Sequence, residues 1–242
     1  MRYLKYTIAV VIIICSVVLL EHKVKADYTG STLIGWFRFD NNQISGSTLI
    51  DLGTGAHNLT TTNSPTTGLG APNGQAIKFN GVDQYAINTS GVIQSTPFTL
   101  CYWAIGYTNG GVAWSALSKD SDTWNGWYGA PGTLAAPVNN DFSGAAIHTG
   151  TNSAVWMFEC DVAASATSRT IYINGVPGTT DTTNKTQTAS ANNYQFTIGN
   201  NKDGSILGNY ANGTYDDFRI YSAALTRNQI IQLYLSTRMW YQ

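Results

Sequence analysis

Residues 76–87 read AIKFNGVDQYAI, and residues 170–178 read TIYINGVPG. In each, a short apolar-rich run is broken by Asn-Gly, the pair that supplies the positive φ angles of a tight two-residue turn. The spacing predicts strands over 76–79 and 85–87 joined as a hairpin through Asn80-Gly81, and a strand over 170–173 that turns at Asn174-Gly175. Outward from these, further strands are expected at 33–39 (LIGWFRF), 98–105 (FTLCYWAI), 154–162, 196–198 and 218–221, with a Thr/Gly/Pro-rich loop over 60–73. Many short strands between Gly, Asn and Pro point to an all-β sandwich or barrel. One helix is legible near the end. Thr226-Arg-Asn-Gln229 fits a capping box, and Ile230, Leu233 and Tyr234 share one helical face, expected to pack on the sandwich.

The first 26 residues belong to a different problem. Arg2 and Lys5 precede an apolar run from Ile8 to Leu20, and Val24 and Ala26 hold the −3 and −1 positions of a small-residue cleavage site. This is the layout of a secretory signal peptide, over 1–26, and the run is shorter than the roughly 20 apolar residues of a membrane span. The expectation is a secreted or cell-surface protein whose mature chain, 27–242, begins at Asp27 and keeps no membrane span. Its length suits one domain. It carries 9 Lys/Arg against 13 Asp/Glu, a net charge of −4 with no basic cluster, which argues against nucleic acid as a partner. Cys101 and Cys160 remain after cleavage. They could form one disulfide in an oxidising compartment, or stay as two buried thiols. Four sequons, at Asn58, Asn88, Asn184 and Asn212, are expected on the surface if occupied.

Six segments in order resemble the laminin-G-like jelly-roll modules of the concanavalin A-like lectin and glucanase superfamily. GWFRFD at 35–40 is similar to their opening strand, and AIKFNGVDQYAI to their Phe-Asp-Gly-x-Asp-x-Tyr hairpin, with Asn80 in place of the commoner Asp. FTLCYWA at 98–104, TIYINGVPG at 170–178, FTIGN at 196–200 and YDDFRIYSAALTRNQIIQLY at 215–234 follow in sequence. The resemblance covers about residues 33–235 and implies a two-sheet antiparallel jelly-roll sandwich with one short C-terminal helix. Trp36, Trp103 and Trp156 are expected to fill the space between the sheets. Modules of this kind often carry calcium. The carried-over ligands are Asp216, opening the last strand, with Asp40 and Asn80 as helpers.

Catalytic patterns are sparse. Glycoside hydrolysis needs two carboxyl groups across the scissile bond, and the mature chain has a single Glu, Glu159. Glu159 and Asp161 share one side of a strand, are too close to straddle a sugar, and are expected on an exposed polar face. The paired acids Asp120/Asp122 and Asp216/Asp217 belong to no catalytic motif. His57 and His148 sit beside loop residues, and there is no Gly-x-Ser-x-Gly elbow, metal spacing or nucleotide loop. The segment KDSDTWNGWY at 119–128 is read as a loop. Asp120, Asp122, Trp124 and Asn125 suit sugar recognition there, a ring beside hydrogen-bonding groups. Trp127 and Tyr128 are read as the inward-packing start of the next strand, and Trp124 is open between the two roles. The function expected is a non-catalytic module binding carbohydrate or glycoprotein, with a structural calcium. The alternative is an adhesive envelope or virion surface protein without a pocket, and a glycoside hydrolase ranks third.

Overall fold

The computed structural model describes residues 32–93, 95–108, 110–116, 124–128, 133–138, 141–149, 153–184, 195–203 and 206–238, with the backbone alone over 124–128, 136–138, 141–145, 201–203 and 206–207. The expected signal peptide lies outside these residues. No helix among them is long and apolar enough to cross a membrane.

The strands in chain order are β1 (Leu33–Phe37), β2 (Ile44–Ser45), β3 (Thr48–Leu49), β4 (Leu59–Thr62), β5 (Thr66–Ala71), β6 (Gly74–Asn80), β7 (Tyr85–Asn88), β8 (Phe98–Ile105), β9 (Val112–Ala116) and β10 (Trp124–Tyr128). They continue with β11 (Thr133–Val138), β12 (Asp141–Thr149), β13 (Met157–Ser165), β14 (Ser168–Ile173), β15 (Val176–Asp181), β16 (Phe196–Ile198), β17 (Asn201–Asp203), β18 (Ile206–Gly208) and β19 (Asn212–Tyr221), before helix α1 (Arg227–Arg238). The first sheet runs β15-β14-β13-β8-β19-β6-β5, with β1 also paired to β19. The second runs β12-β11-β10-β9-β16-β7-β4-β3-β2, and β17-β18 is a separate small hairpin. The ladders are antiparallel, so the expected two-sheet sandwich with one C-terminal helix is the observed fold.

The rings of Phe37, Phe39, Phe79, Phe98, Tyr102, Trp114, Phe196, Tyr215 and Phe218 fill the space between the sheets. Tyr102 and Phe218 stack with centroids 4.5 Å apart. A second core lies on the other face of the first sheet, built from Cys101, Trp103, Phe158, Cys160, Val162, Leu225, Ile230 and Leu233. Here α1 covers the sheet. Its capping box forms as the sequence implies: Gln229 Oε1 accepts the Thr226 backbone N–H at 2.8 Å, and Thr226 Oγ1 accepts the Gln229 N–H at 3.4 Å. Trp103 Nε1 donates to Thr237 Oγ1 at 3.0 Å, fastening the last turn to β8. Cys101 and Cys160 face each other across β8 and β13 and form a disulfide in this layer.

This second layer corrects the placement of three tryptophans. Trp36 and Trp156 pack, partly exposed, against the layer under α1, and Trp103 lies within it. Trp114 is the tryptophan that sits between the sheets. The cause is visible in β8, where every residue from Phe98 to Ala104 is buried. A strand covered on both faces loses its polar/apolar alternation, so its sequence does not say which side is which.

The two Asn-Gly pairs also part company. Asn174 and Gly175 have φ of 51° and 78° and join β14 to β15 as a two-residue hairpin, with Ile173 opposite Val176. Asn80-Gly81 does not make a hairpin, because β6 belongs to the first sheet and β7 to the second. Asn80 Oδ1 instead accepts the N–H groups of Val82, Asp83 and Gln84, an Asx-type turn that carries the chain across the sandwich. The loop expected over 60–73 contains the strands β4 and β5. Thr suits a pleated surface, and the exposure of Thr66–Gly68 hides the apolar pattern that would announce a strand.

Candidate cation and ligand sites

Three distant segments meet midway along β19, so Asp216 lies within the last strand and does not open it. A β-bulge between Asp216 and Arg219 puts Asp217 at φ 53° and makes Asp216 and Asp217 both fully buried. Asp216 Oδ2 accepts the backbone N–H of Asn73, in the β5–β6 turn, at 3.1 Å. Asp40, just past β1, accepts the N–H of Gln75 at 2.9 Å and pairs with Arg38 at 3.1 Å. A Cβ on Gly74 would lie 2.3 Å from Asp40 Oδ1, so only glycine lets the turn approach this closely. Asp217 Oδ1 accepts Trp36 Nε1 at 2.6 Å and Arg219 Nε at 2.9 Å, and the Arg219 guanidinium lies 4.8 Å over the Trp36 ring.

The electrostatics are unbalanced. Burial pushes the Asp216 carboxyl up to about 8, and the charges of Asp217 and Asp40 push the same way. Burial alone would depress Arg219, but the neighbouring Asp217 carboxylate outweighs it and holds the guanidinium above its ordinary value. Asp216 Oδ1 and Asp217 Oδ2 are buried without a hydrogen-bond partner. Hard carboxylate oxygens short of positive charge fit a calcium ion. Among the described residues no three His, Cys, Asp or Glu side chains converge to hold a metal by themselves. Backbone carbonyls would have to complete the six to eight oxygens that calcium takes.

Asp40 and Asp216 are therefore brought together, and Asn80 is not. It closes the far end of β6, six residues or about 20 Å of strand from Gly74, with its side chain committed to the Asx turn. Asp217 takes its place at the cluster. The signal for it was the Asp216-Asp217 doublet, which interrupts the apolar alternation of the last strand just where the bulge lies.

Glu159 and Asp161 require a larger correction. Both are buried, at 0% and 4% exposure, on the face of β13 turned toward the second sheet. They pair across the ladders with Tyr102 and Ile173, and with Leu100 and Ile171, all members of the inter-sheet core. The shared side was legible; the face was not, because β13 is buried from Met157 to Ala163 on both sides. Asp161 Oδ2 accepts Trp114 Nε1 at 2.8 Å. Nearby, Arg169 is buried against Asp181, which accepts from both Nε and Nη2.

Asp120 and Asp122 lie outside the described residues. Trp124 and Asn125 open β10 and are not loop positions, since the strand begins three residues earlier than Trp127. The register pairs Trp124 with Ala116 and Asn125 with Ser115. Ala116 belongs to the inter-sheet core, whereas Ser115, on the opposite face, joins its hydroxyl to Thr197 at 2.7 Å.

With this geometry in hand, the sequence matches the profile of the concanavalin A-like lectin/glucanases superfamily over residues 79–231. The chain belongs to that superfamily. No curated protein matches it in sequence. Among solved structures, domain 4 of AbnA, an extracellular arabinanase of Geobacillus stearothermophilus, in complex with arabinotriose, is similar with a TM-score of 0.65 at 19% identity, over 84% of this chain and 98% of that one. The Trypanosoma rangeli sialidase is similar at 0.65 and 17% identity, over 87% of this chain and only 33% of the sialidase. The binding domain of Paraclostridial Mosquitocidal Protein 1 is similar at 0.62 and 16% identity, over 85% of this chain and 52% of that one. These likenesses establish the fold, which binding modules and glycosidases share.

Proposed function

We propose that this superfamily member is a secreted, non-catalytic binding module for carbohydrate or glycoprotein, stabilised by calcium at Asp40, Asp216 and Asp217. The observation that carries the reading is the enclosure of Glu159 and Asp161. The single Glu of the mature chain and its nearest acid lie inside the core, where no glycan can pass between them, whereas a glycosidase needs two carboxyl groups flanking its substrate. The cation cluster binds its acids into backbone turns and a guanidinium, a structural use of carboxylates. The arabinanase domain, whose length the match spans almost fully, supports a carbohydrate as ligand.

The recognition surface proposed is the 119–128 segment, with Trp124 as the ring and Asp120, Asp122 and Asn125 as hydrogen-bonding groups. A glycan array probed with the mature protein is expected to give saturable binding to a defined set of sugars. Trp124→Ala and Asn125→Ala should each weaken that binding at a nearly unchanged melting temperature. A large fall in the melting temperature of Trp124→Ala would make that ring part of the core and the proposed surface wrong. An array without saturable binding would favour the adhesive surface protein.

A further inference from the structure

Asp161 is a buried acid with a single hydrogen-bond partner among the described residues. One oxygen accepts the Trp114 indole N–H, reaching across from β9 of the opposite sheet; the other, Oδ1, is buried with no hydrogen-bond partner. Beside it lies a cavity of roughly 10 Å³ whose exposed lining is apolar, bounded by Phe98, Trp114, Asp161, Arg169 and Thr170. The titratable groups around it are few. Glu159 is two residues back on the same face, and Tyr102 lies on β8. Arg169 lines the cavity from β14, its guanidinium engaged by Asp181 of β15 and by the carbonyl oxygens of Ala166 and Thr183. From the second sheet comes half-buried His148, paired with core residue Leu134. Of all these, Trp114 is the one that stabilises the charged carboxylate by a direct bond.

We propose that Asp161 and Trp114 form a proton-operated tie between the two sheets, tolerated by the core while the carboxyl is protonated and penalising the native state when its proton leaves to solvent, so that the domain is held most firmly in mildly acidic surroundings. The neutral carboxyl keeps the indole bond through its carbonyl oxygen and brings no charge into the core. The carboxylate, by contrast, sits in a ring-lined interior with one neutral donor, and an ion so placed penalises the native state.

Burial pushes the carboxyl up to about 7 from 3.8, with the Trp114 bond pulling it partway down. Below pH 3.8 both folded and unfolded chains hold the proton and no penalty arises. Between 3.8 and about 7 the unfolded chain releases it while the folded chain keeps it, so each pH unit favours unfolding by up to about tenfold. Above that window the penalty is constant. Other acids add their own slopes, and the contribution of Asp161 is the difference between the wild type and Asp161→Asn, which is neutral at every pH.

The test is denaturant unfolding of both proteins from about pH 4.5 to 7.5, with calcium held in excess. The folded-to-unfolded ratio of the wild type should fall, relative to Asp161→Asn, by on the order of a hundredfold across that range. Parallel profiles would overturn the tie. A second measurement needs no variant. In the wild type, the Trp114 indole N–H resonance should move with a midpoint near neutrality. A resonance that stays fixed from about pH 4.5 to 8, or that titrates below about 5 as an ordinary carboxyl would, overturns the proposal even if Asp161→Asn fails to fold.

Discussion

The two faces of the first sheet bury acids in opposite ways. On the outer face, Asp216 and Asp217 sit where a bulge, a turn and a strand end converge, with Arg219 bonded to Asp217 and Arg38 paired with the neighbouring Asp40. On the inner face, Glu159 and Asp161 are surrounded by the rings and aliphatic chains of the sandwich core. The first setting draws on three chain segments and is the proposed cation site, whereas the second encloses its acids among apolar groups. The same residue type thus takes its role from what the opposing element offers, and neither setting leaves two acids facing a substrate.

If the outer face is a second core in its own right, the largest effect should come from its covalent link. Cys101 and Cys160 close a loop of 59 residues beneath α1. Replacing both with Ala should cost about 4 kcal/mol by the chain-entropy relation, read as a lower denaturant midpoint. A loss below about 1 kcal/mol would mean the helix and rings hold this face without the bond.

Calcium tests the same face next. At a hundred times its dissociation constant an ion adds about 2.7 kcal/mol, so the melting temperature should rise with calcium and fall with chelator. Asp216→Ala should abolish the difference. A shift that survives Asp216→Ala would place the ion elsewhere, and no shift at all would leave the Asp216 and Asp217 oxygens without their proposed partner.

The architecture is legible in the sequence and the contrast between the two faces is not, for physical reasons. The capping box at Thr226, the Asn174-Gly175 turn and the sandwich architecture are written in local chemistry, and they stand. The face assignments of Trp36, Trp103, Glu159 and Asp161 are not local. They depend on α1 covering one side of β8 and β13, which makes both sides of those strands look like a core. Asn80 misled for a related reason. An Asn-Gly pair specifies a tight turn, and whether the chain then rejoins the same sheet is decided by pairing partners more than a hundred residues away, such as Asn212 for Asn80 and Phe196 for Asn88.

The smallest expected effect sharpens the role of α1. Thr226→Ala removes the hydroxyl of the capping box and should cost about 1 kcal/mol, well below the disulfide, because the helix is held chiefly by Ile230, Leu233 and the Trp103–Thr237 bond. A cost comparable to that of the disulfide would show that the helix start, rather than its buried face, secures the second core.

Binding without chemistry is the claim on which the account turns, and one assay measures both halves. The mature protein is incubated with the polysaccharide that the glycan array selects, and retention on the polymer is followed alongside release of reducing sugar. The account predicts saturable retention with no sugar released above a heat-denatured control. Sugar released by the wild type, and stopped by replacing Glu159 or any one of the buried aspartates with its amide, would contradict it.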